Sequence, residues 1–411
     1  MMMTSNWPVL LIGLSLIVFF MLFAFYAPDV RNIETPPFKQ PGRIFSVNHK
    51  KPAIRAQQAH RGLPQKTILI YSNLFGSRRW SMASNADRDP DYFKRIGCKV
   101  TNCRISYDNS KVRDAAALVF HARDMPNADL LRRISRTSRP AHQYWAYFVS
   151  ESPVNCPNPK PLEGLFNLTM TYRLSSDVFL PYRKFAKLKK PRKITKNYAR
   201  SKTKMAAWLV SNCGVKTRER VVRHLEKHGV QVDVGGGCRR RWPHQLRCLG
   251  RECTNQEAYR FHLGFENSYC QDYITNKYWW NGFDVDAIPV VLGGADYHDP
   301  KVAIPGSFID VQDFDTVQDL AEYMLKVANN ETLFNSYFKW KESYYLVDNT
   351  KYRWPYAGEN GWPCELCEMV NRRKPLHKVY NNLSDFWSAK NDCGGRNKKI
   401  LKILQQSDMR G

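Results

Sequence analysis

The sequence is short of acidic residues: 37 Asp and Glu stand against 63 Lys and Arg, so the 411-residue chain carries a net charge of +26. A surplus of this size attracts anions such as nucleic acid, an anionic membrane or a phosphate-bearing ligand. The most basic stretch, 183–204, holds eleven Lys or Arg, no acid and two aromatic residues. A nucleic-acid groove would interleave basic and aromatic side chains, and no recognised nucleic-acid motif is present. We therefore predict no nucleic-acid partner and a solvated basic linker at 183–204, with an anion-binding patch as the second interpretation.

Charge is missing altogether from residues 7–26, WPVLLIGLSLIVFFMLFAFY. Twenty apolar residues are enough to span the ~30 Å hydrocarbon layer of a membrane. No Lys or Arg precedes the run and no small-residue cleavage site follows it, so a cleavable signal peptide fits poorly. We predict a short tail at 1–6, a transmembrane signal-anchor at 7–27 and a stem at 28–65, which is rich in Pro, Gln and basic residues.

Two sets of residues disagree on which side of the membrane the body of the protein lies. Six basic residues lie within 31–55 and none precedes the segment, which by the positive-inside rule predicts a cytosolic body. Eleven cysteines and three N-glycosylation sequons, at Asn167, Asn330 and Asn382, favour an oxidising lumen instead. We give the second set more weight and predict a luminal body.

The cysteines allow two interpretations. Cys364 and Cys367 have the spacing of a zinc knuckle, and Cys98 with Cys103 would be a looser second pair. We favour the alternative, a disulfide framework, in which the odd total leaves at least one cysteine free or intermolecular. The candidates for disulfides are Cys98, Cys103, Cys213, Cys238, Cys248, Cys253, Cys364 and Cys367.

From residue 66 onward, short apolar runs alternate with polar or helical stretches, and no internal repeat is visible. This alternation predicts an α/β fold with parallel sheets. The pattern restarts after the basic linker, so we predict two α/β halves, 66–182 and 205–375, followed by a tail at 376–411. The predicted strands are 67–73, 116–122, 142–152, 205–212, 230–237, 259–267 and 287–294; the predicted helices are 218–229, 272–286 and a long one from 319 to about 345.

Three segments together resemble the α1,3-fucosyltransferases, in an invertebrate-like form. They are YFVSESPVN (147–155), AAWLVSNC (206–213) with Arg218 after it, and FENSYCQDYITNKYWWNGFDVDAIPVVLGG (265–294). Their order and spacing match the family's ESP, SN…R and FENS…PVVLG blocks, and the resemblance runs from roughly residue 66 to 390.

The resemblance implies an inverting transferase with a GT-B arrangement, in which two Rossmann-like domains enclose a cleft. The N-terminal half would hold the acceptor, a GlcNAc hydroxyl on a glycoprotein glycan, and the C-terminal half GDP-fucose. An N-glycan core and a Lewis-type antenna both remain open as the acceptor. The resemblance also implies a single-pass type II protein of the Golgi membrane, with disulfides that join Cys98 and Cys103 to Cys364 and Cys367.

The resemblance also implies roles for individual residues. Glu151, at the predicted end of a strand, matches the general base that takes the proton from the acceptor hydroxyl. Arg218 and Lys277 match the positions that hold the GDP phosphates, where fixed cations stabilise the departing charge. The interval from the SN motif to Arg218 is one residue shorter than in some relatives, which leaves Arg220 as a substitute.

Asn267, Tyr273 and Asn276 match further contacts to the nucleotide sugar. Relatives usually carry Glu in place of Asn276, and since Asn accepts hydrogen bonds without charge, we expect weaker or altered donor binding. The alternative function is therefore a weak or inactive relative that binds glycan or nucleotide sugar. Asp284 and Asp286 resemble a D-x-D metal site but fall where relatives carry unrelated residues, so we predict no metal site. No cofactor is expected to be required, although Mn²⁺ or Mg²⁺ could stimulate activity.

Overall fold

The structure is a computed structural model that describes residues 64–80, 85–246, 248, 256–347, 361–373, 378–393 and 397–410. The predicted membrane segment at 7–27 and nearly all of the predicted stem at 28–65 lie outside these residues. Among the helices of the described ranges, none combines the length and the apolar character that crossing a membrane requires.

The first sheet is built from short runs of apolar residues that are buried on both faces, as expected of parallel strands covered by helices. Within the described residues it has six strands in the order β2-β1-β3-β4-β5-β6, and every neighbouring pair is parallel. The strands are β1 (Lys66–Ile70), β2 (Cys103–Ser106), β3 (Ala117–His121), β4 (Tyr144–Phe148), β5 (Leu168–Thr171) and β6 (Val178–Phe179).

A second parallel sheet follows in the C-terminal half, with five strands in the part of the chain that the structure describes. Its order is β9-β8-β10-β11-β12, which is the doubly wound order 2-1-3-4-5; the first sheet begins with the same order. The strands are β8 (Lys204–Leu209), β9 (Val232–Gly235), β10 (Tyr259–Phe265), β11 (Ile288–Leu292) and β12 (Ile309–Asp310). The prediction of an α/β fold with parallel sheets is confirmed.

Helices pack against both sheets. Helix α5 begins with a capping box, in which Thr316 and Asp319 exchange side-chain-to-backbone hydrogen bonds. The C-terminal helix α10 buries Ile400, Ile403 and Leu404 in the core of the second sheet, although we predicted a tail there. The helices are α1 (Tyr92–Arg95), α2 (Ala128–Ser138), α3 (Lys216–Lys227), α4 (Asn276–Tyr278), α5 (Val317–Asn329), α6 (Glu331–Ser336), α7 (Trp362–Val370), α8 (Leu383–Phe386), α9 (Ala389–Cys393) and α10 (Asn397–Arg410).

The prediction of one helix over 272–286 is wrong. Only the single turn α4 and a π-helical turn, Trp279–Phe283, form there. The chain is not helical before Thr275, because Asp272 has a positive φ of 57° and Thr275, with extended backbone angles, caps α4 by accepting from the N–H of Lys277. The N–H of Thr275 donates to the buried carboxylate of Glu266. At the other end, a Cβ on Gly282 would lie 2.6 Å from the ring of Pro289, so this turn is pressed closely against β11.

The prediction of one long helix from 319 to about 345 is also wrong, because helix α5 ends at Asn329. Asn330 has extended backbone angles, and its side chain accepts a hydrogen bond from the N–H of Leu333, so it caps a new helix, α6, and ends the old one. The chain then turns into a short strand, β13 (Tyr344–Leu346), which pairs antiparallel with β7 (Phe185–Lys187).

The basic stretch 183–204 is more structured than the solvated linker that we predicted. It contains β7, and several of its cations have carboxylate partners. Arg183 is buried and pairs with Asp284 at 2.5 Å, and Lys196 pairs with Asp286 at 2.6 Å. The exposed remainder lies mainly at 189–193. Ion pairing to the second half therefore neutralises part of the charge that the sequence concentrates here.

Disulfides link distant parts of the chain. Cys98 is bonded to Cys364 and Cys103 to Cys367. The family resemblance implied that these two pairs of cysteines join each other and left the individual partners open, and the zinc interpretation of these cysteines is wrong. They hold α7 in the core of the first sheet, although the sequence pattern assigns this segment to the second half. The other bonds described are Cys213–Cys238 and Cys270–Cys393; Cys248 is also disulfide-bonded, Cys253 lies outside the described residues, and Cys156 is free.

Asp310, the last residue of β12, makes stability depend on pH. It is 5% exposed, and burial raises its pKa from 3.8 to about 6, with Asp313 adding to this and His298 and Lys399 opposing it. Because the folded-state pKa lies above the unfolded value, the carboxyl is neutral and costs nothing below about pH 4, and its ionisation destabilises the fold increasingly up to about pH 6.

We expect Asp310→Asn to raise the unfolding free energy by about 2 kcal/mol at pH 7 and by almost nothing at pH 4. Asn keeps the shape and can still accept the hydrogen bond from the N–H of Gln312. Urea unfolding of both proteins in EDTA would measure the difference, because EDTA removes any divalent ion from the nearby groups His298 and Asp313. A gain that is equal at both pH values would contradict the account.

Candidate active site

Arg218 lies at the switch point of the second sheet, where the strand order reverses between β8 and β10. Helix α3 directs this side chain inward, so it is 1% exposed. Its Nη1 donates to the carbonyl of Phe265 at 3.1 Å and its Nη2 to the carbonyl of Asn212, so it ties together the segments that follow the two strands. Burial lowers its pKa, but a guanidinium stays charged in proteins. A fixed cation at a switch point favours an anionic ligand.

Arg220 does not reach this position. It lies on another face of α3 and forms an exposed ion pair with Asp408 of α10, and His224 contacts the same carboxylate at 2.9 Å. Of the two arginines that the sequence left open for phosphate, only Arg218 is at the carboxyl end of the sheet.

Glu266 organises the loop that follows β10. Its side chain is completely buried. Its carboxylate accepts hydrogen bonds from the N–H of Thr275 at 2.8 Å, from the Thr275 hydroxyl at 2.9 Å and from the Nζ of Lys277 at 2.9 Å. These bonds fix Lys277, which is 20% exposed, at the mouth of the same sheet edge as Arg218. The side chain of Lys277 retains exposed surface and can meet an anion from solvent.

Glu151 enters the site from the first sheet. It follows β4 by three residues and is half-buried. The hydroxyl of Tyr273 lies 3.4 Å from its Oε2. Burial, with the negative charges of Glu151 and Glu266, raises the pKa of Tyr273 well above its usual value, so Tyr273 keeps its proton and donates it in this contact. The carboxylate of Glu151, in the N-terminal half, is therefore oriented by the hydroxyl of Tyr273, in the C-terminal half.

A second set of hydrogen bonds joins the two loops beside Glu151. The hydroxyls of Ser152 and Ser268 are 2.8 Å apart, and the amide of Asn155 donates to Ser268 at 3.1 Å. Ser268 also donates to the side-chain oxygen of Asn267 at 3.3 Å. The loop after β4 and the loop after β10 thus form one polar surface at the carboxyl ends of both sheets.

The remaining predicted residues lie on the same surface. Asn267 directly follows Glu266 and is half-buried, and Asn276 begins α4 and is also half-buried. The structure thus brings together Glu151, Arg218, Asn267, Tyr273, Asn276 and Lys277 within the two loops and α3.

Asp284 and Asp286 do not face this surface as a pair of metal ligands. Asp284 is bonded to Arg183, while Asp286 is bonded to both Lys196 and Lys341. Asp284 is therefore neutralised by an arginine and Asp286 by two lysines.

The three sequons differ in accessibility. Asn330 and Asn382 are exposed. Asn167 is half-buried, and its side-chain oxygen accepts hydrogen bonds from the backbone of Trp145 and from Arg139. Asn330 and Asn382 are therefore better placed to carry a glycan than Asn167.

Sequence reasoning missed Glu266, the bridge between Ser152 and Ser268, and the bond between Cys270 and Cys393. The first two lie inside the quoted ESP and FENS blocks, so the motif marked the segments but not the contacts. The disulfide has no signal in the sequence, since its cysteines are 123 residues apart and neither belongs to a spaced pair.

Loss of the Cys270–Cys393 disulfide should loosen this surface. Cys270 lies three residues before Tyr273, and the bond ties its loop to α9. We expect the variant Cys270→Ala/Cys393→Ala to lose about 3 kcal/mol of unfolding free energy, since closing so long a loop restricts the unfolded chain strongly. Chemical denaturation would measure this; Cys156→Ala, which removes the free thiol, is the control and should lose less than about 1 kcal/mol. Equal losses in both proteins would contradict the prediction.

An α/β chain with a buried cation at a switch point of one parallel sheet and a carboxylate from the other is an arrangement that suits an anionic ligand. Two family profiles match the chain: "Fucosyltransferase, N-terminal" over residues 63–183 and "Glycosyltransferase family 10 (fucosyltransferase) C-term" over residues 199–387. The chain belongs to the α1,3-fucosyltransferases of glycosyltransferase family 10, which confirms the predicted family and enzyme class.

Two fucosyltransferases are similar to this chain over most of their length. Alpha-(1,3)-fucosyltransferase C of Drosophila melanogaster is 31% identical over 364 residues, which is 81% of this chain and 80% of the relative. The 3-galactosyl-N-acetylglucosaminide 4-alpha-L-fucosyltransferase FUT3 of Bos taurus is 31% identical over 314 residues, 76% of this chain and 81% of the relative. A crystal structure of an alpha1,3-fucosyltransferase with GDP-fucose aligns with a TM-score of 0.46 and 14% identity, over 83% of this chain and 96% of that one.

Proposed function

We propose that the chain transfers L-fucose from GDP-fucose to a GlcNAc hydroxyl of a glycoprotein glycan, with inversion at the anomeric carbon. The observation that carries this proposal is the contact between Glu151 and Tyr273, which brings a carboxylate of the first sheet to the cation-bearing loop of the second. The printed name of the bovine relative, which refers to a galactosyl-N-acetylglucosaminide, supports GlcNAc as the acceptor sugar.

In the proposed reaction, the acceptor hydroxyl attacks the anomeric carbon of fucose from the side opposite GDP. The new bond joins the acceptor oxygen to that carbon, the bond from the carbon to the phosphate oxygen breaks, and the proton passes to the carboxylate of Glu151. Arg218 and Lys277 stabilise the negative charge that grows on the departing GDP. Asn267, Tyr273 and Asn276 would complete the donor site.

The two sheets would be the cores of two Rossmann-like domains in a GT-B arrangement, 66–182 for the acceptor and 205–375 for GDP-fucose. No metal is required in this scheme, because the cations are side chains of the chain itself, and Mn²⁺ or Mg²⁺ is expected at most to stimulate. The test is a transfer assay of the full-length protein in detergent, with GDP-fucose and a panel of N-glycan cores and lactosamine antennae. Turnover on one class would identify the acceptor. Absence of GDP binding would overturn the donor assignment.

The alternative is a weak or inactive relative that only binds glycan or nucleotide sugar, and Asn276 favours it. Binding of GDP without transfer to any acceptor would support this alternative.

Asn276→Glu should strengthen donor binding. A carboxylate makes a stronger hydrogen bond to a ribose hydroxyl than a neutral amide does, so we expect the KM for GDP-fucose to fall about fivefold, equivalent to roughly 1 kcal/mol. Steady-state kinetics at fixed acceptor would show this, and Asn391→Glu, on the exposed face of α9, is the control for added charge. An unchanged or higher KM in Asn276→Glu would separate this position from the donor.

We further propose a Golgi membrane location, with residues 7–27 as a type II signal-anchor and the body in the lumen. The disulfides and the exposed sequons at Asn330 and Asn382 support an oxidising, glycosylating compartment. Digestion of the cell-expressed protein with an N-glycosidase should increase its gel mobility. An unchanged mobility together with reduced cysteines would place the body in the cytosol.

A further inference from the structure

A basic cavity of about 430 Å³ is lined by strand β2 and by the segment that follows it, away from the residues assigned above. It is concave and large enough to admit a single sugar residue. The charged side chains that line it are Arg78, Arg79, Arg104 and Lys111, with Asp87 and Asp108.

The acidic side chains do not cancel the positive charge. Asp87 forms an ion pair with Arg79 at 2.6 Å, and the hydrogen bond from Arg79 lowers the pKa of Asp87. Asp108 accepts hydrogen bonds from the N–H and the hydroxyl of Ser110, at 3.0 and 2.7 Å, where it caps a short turn. Once Arg79 and Asp87 are paired, Asp108 is the remaining carboxylate, and three cations, Arg78, Arg104 and Lys111, remain.

Those three cations differ in how they are held. Arg78 is fixed by the carbonyls of Ile70 at 2.9 Å and Tyr71 at 3.0 Å, so it contributes a permanent charge. Arg104 is exposed, and among the described residues it bonds only through its Nε, which donates to the hydroxyl of Thr67 at 2.8 Å. Lys111 is half-buried, and its ammonium has no hydrogen bond to any residue of the described ranges. The terminal nitrogens of Arg104 and the ammonium of Lys111 can thus receive an oxyanion.

The position of the cavity points to the acceptor. Strands β2, β1, β3 and β4 are neighbours in one parallel sheet, so the segments after β2 and after β4 leave the same edge. Three strand spacings separate them, which amounts to roughly 14 Å. An oligosaccharide whose reacting hydroxyl lies at Glu151 could reach the cavity with a sugar a few units away.

We propose that this cavity binds an acidic group, a carboxylate or a sulfate, carried by the acceptor glycan. The proposal rests on the proposed function, since it takes Glu151 as the point of transfer. The cavity would select acceptors by charge, and it would act on binding and leave the chemical step alone. A lipid headgroup offers the same chemistry, but a concave cavity at the edge shared with Glu151 fits a glycan better than a flat membrane surface.

The test compares a lactosamine acceptor with the same lactosamine carrying one sulfate, using the full-length protein in detergent. For Arg104→Gln/Lys111→Gln we expect the KM of the sulfated glycan, relative to that of the neutral one, to rise about tenfold at low salt, since two charged contacts are lost. The preference of the wild-type protein for the sulfated glycan should shrink as ionic strength rises. Lys99→Gln/Arg136→Gln is the matched control, because it removes the same charge from exposed sites outside the cavity.

Direct binding of the sulfated glycan, measured by calorimetry, separates this proposal from the proposed function: binding that the cavity variant loses would support the proposal even if no fucose were transferred. An unchanged KM ratio, or the same change in the control, would overturn it. Competition by soluble glycerophosphoserine as strong as that by the sulfated glycan would assign the cavity to a lipid headgroup and would also overturn it.

Discussion

Glu151→Gln should lower kcat for fucose transfer by about 10³-fold, within the range expected when a general base is removed. Gln has the size of Glu and can still accept the hydrogen bond from Tyr273, but it cannot take the proton of the acceptor hydroxyl. GDP affinity should stay within about twofold, because the groups proposed to hold GDP, Arg218 and Lys277, belong to the second sheet. Steady-state kinetics and calorimetry with GDP measure the two effects separately.

Glu163→Gln is the matched control for that variant. The carboxylate of Glu163 accepts a hydrogen bond from Ser384. The same substitution there should leave kcat within about twofold, since Glu163 lies outside the site. A Glu151→Gln protein that turns over as fast as Glu163→Gln would remove Glu151 from the role of base.

Lys277→Met should affect both stability and donor binding. The substitution leaves the carboxylate of Glu266 buried without its cation, and loss of one partner from a buried pair typically costs about 3 kcal/mol of unfolding free energy. Loss of a charge that faces the departing phosphate should lower kcat/KM for GDP-fucose by about 10²-fold or more. Chemical denaturation and kinetics with varied GDP-fucose give the two numbers.

Two further variants separate these effects. Lys341→Met removes a similarly enclosed lysine from its ion pair with Asp286, so it should lower stability without changing GDP affinity. The double variant Lys277→Met/Glu266→Gln has no uncompensated charge, so it should recover stability but not donor binding. If Lys277→Met is destabilised while its GDP affinity stays unchanged, Lys277 only supports Glu266.

Periodicity and motifs predicted most of the strands, but not the places where tertiary contacts interrupt the local pattern. Strands such as Ala117–His121 and Ile288–Leu292 were predictable because they are continuous apolar runs. Strand Cys103–Ser106 was not, since its arginine is exposed at the sheet edge and interrupts the apolar pattern. The prediction of a helix at 272–286 failed because Asp272 takes a positive φ and Thr275 caps a separate short turn, and local helix propensity does not show either feature.

In the candidate site too, the residues could be predicted from the sequence, whereas the contacts between them could not. Glu151 and Lys277 could be found from the resemblance, because motifs preserve residue types at fixed spacing. Their contacts could not, since Tyr273 meets Glu151 across 122 residues and Lys277 meets Glu266 inside a loop whose path depends on tertiary packing. The basic stretch 183–204 was likewise misjudged, because the sequence does not show that Asp284 and Asp286 fold back onto it.

The anomeric configuration of the product tests the central claim most directly. The full-length protein would be incubated with GDP-fucose and a lactosamine or N-glycan core acceptor, and the linkage of the transferred fucose determined by NMR. A single displacement assisted by Glu151 predicts a product whose anomeric configuration is opposite to that of the donor. A product with the donor's configuration would exclude a single displacement from the side opposite GDP, and would contradict the role that we assign to Glu151.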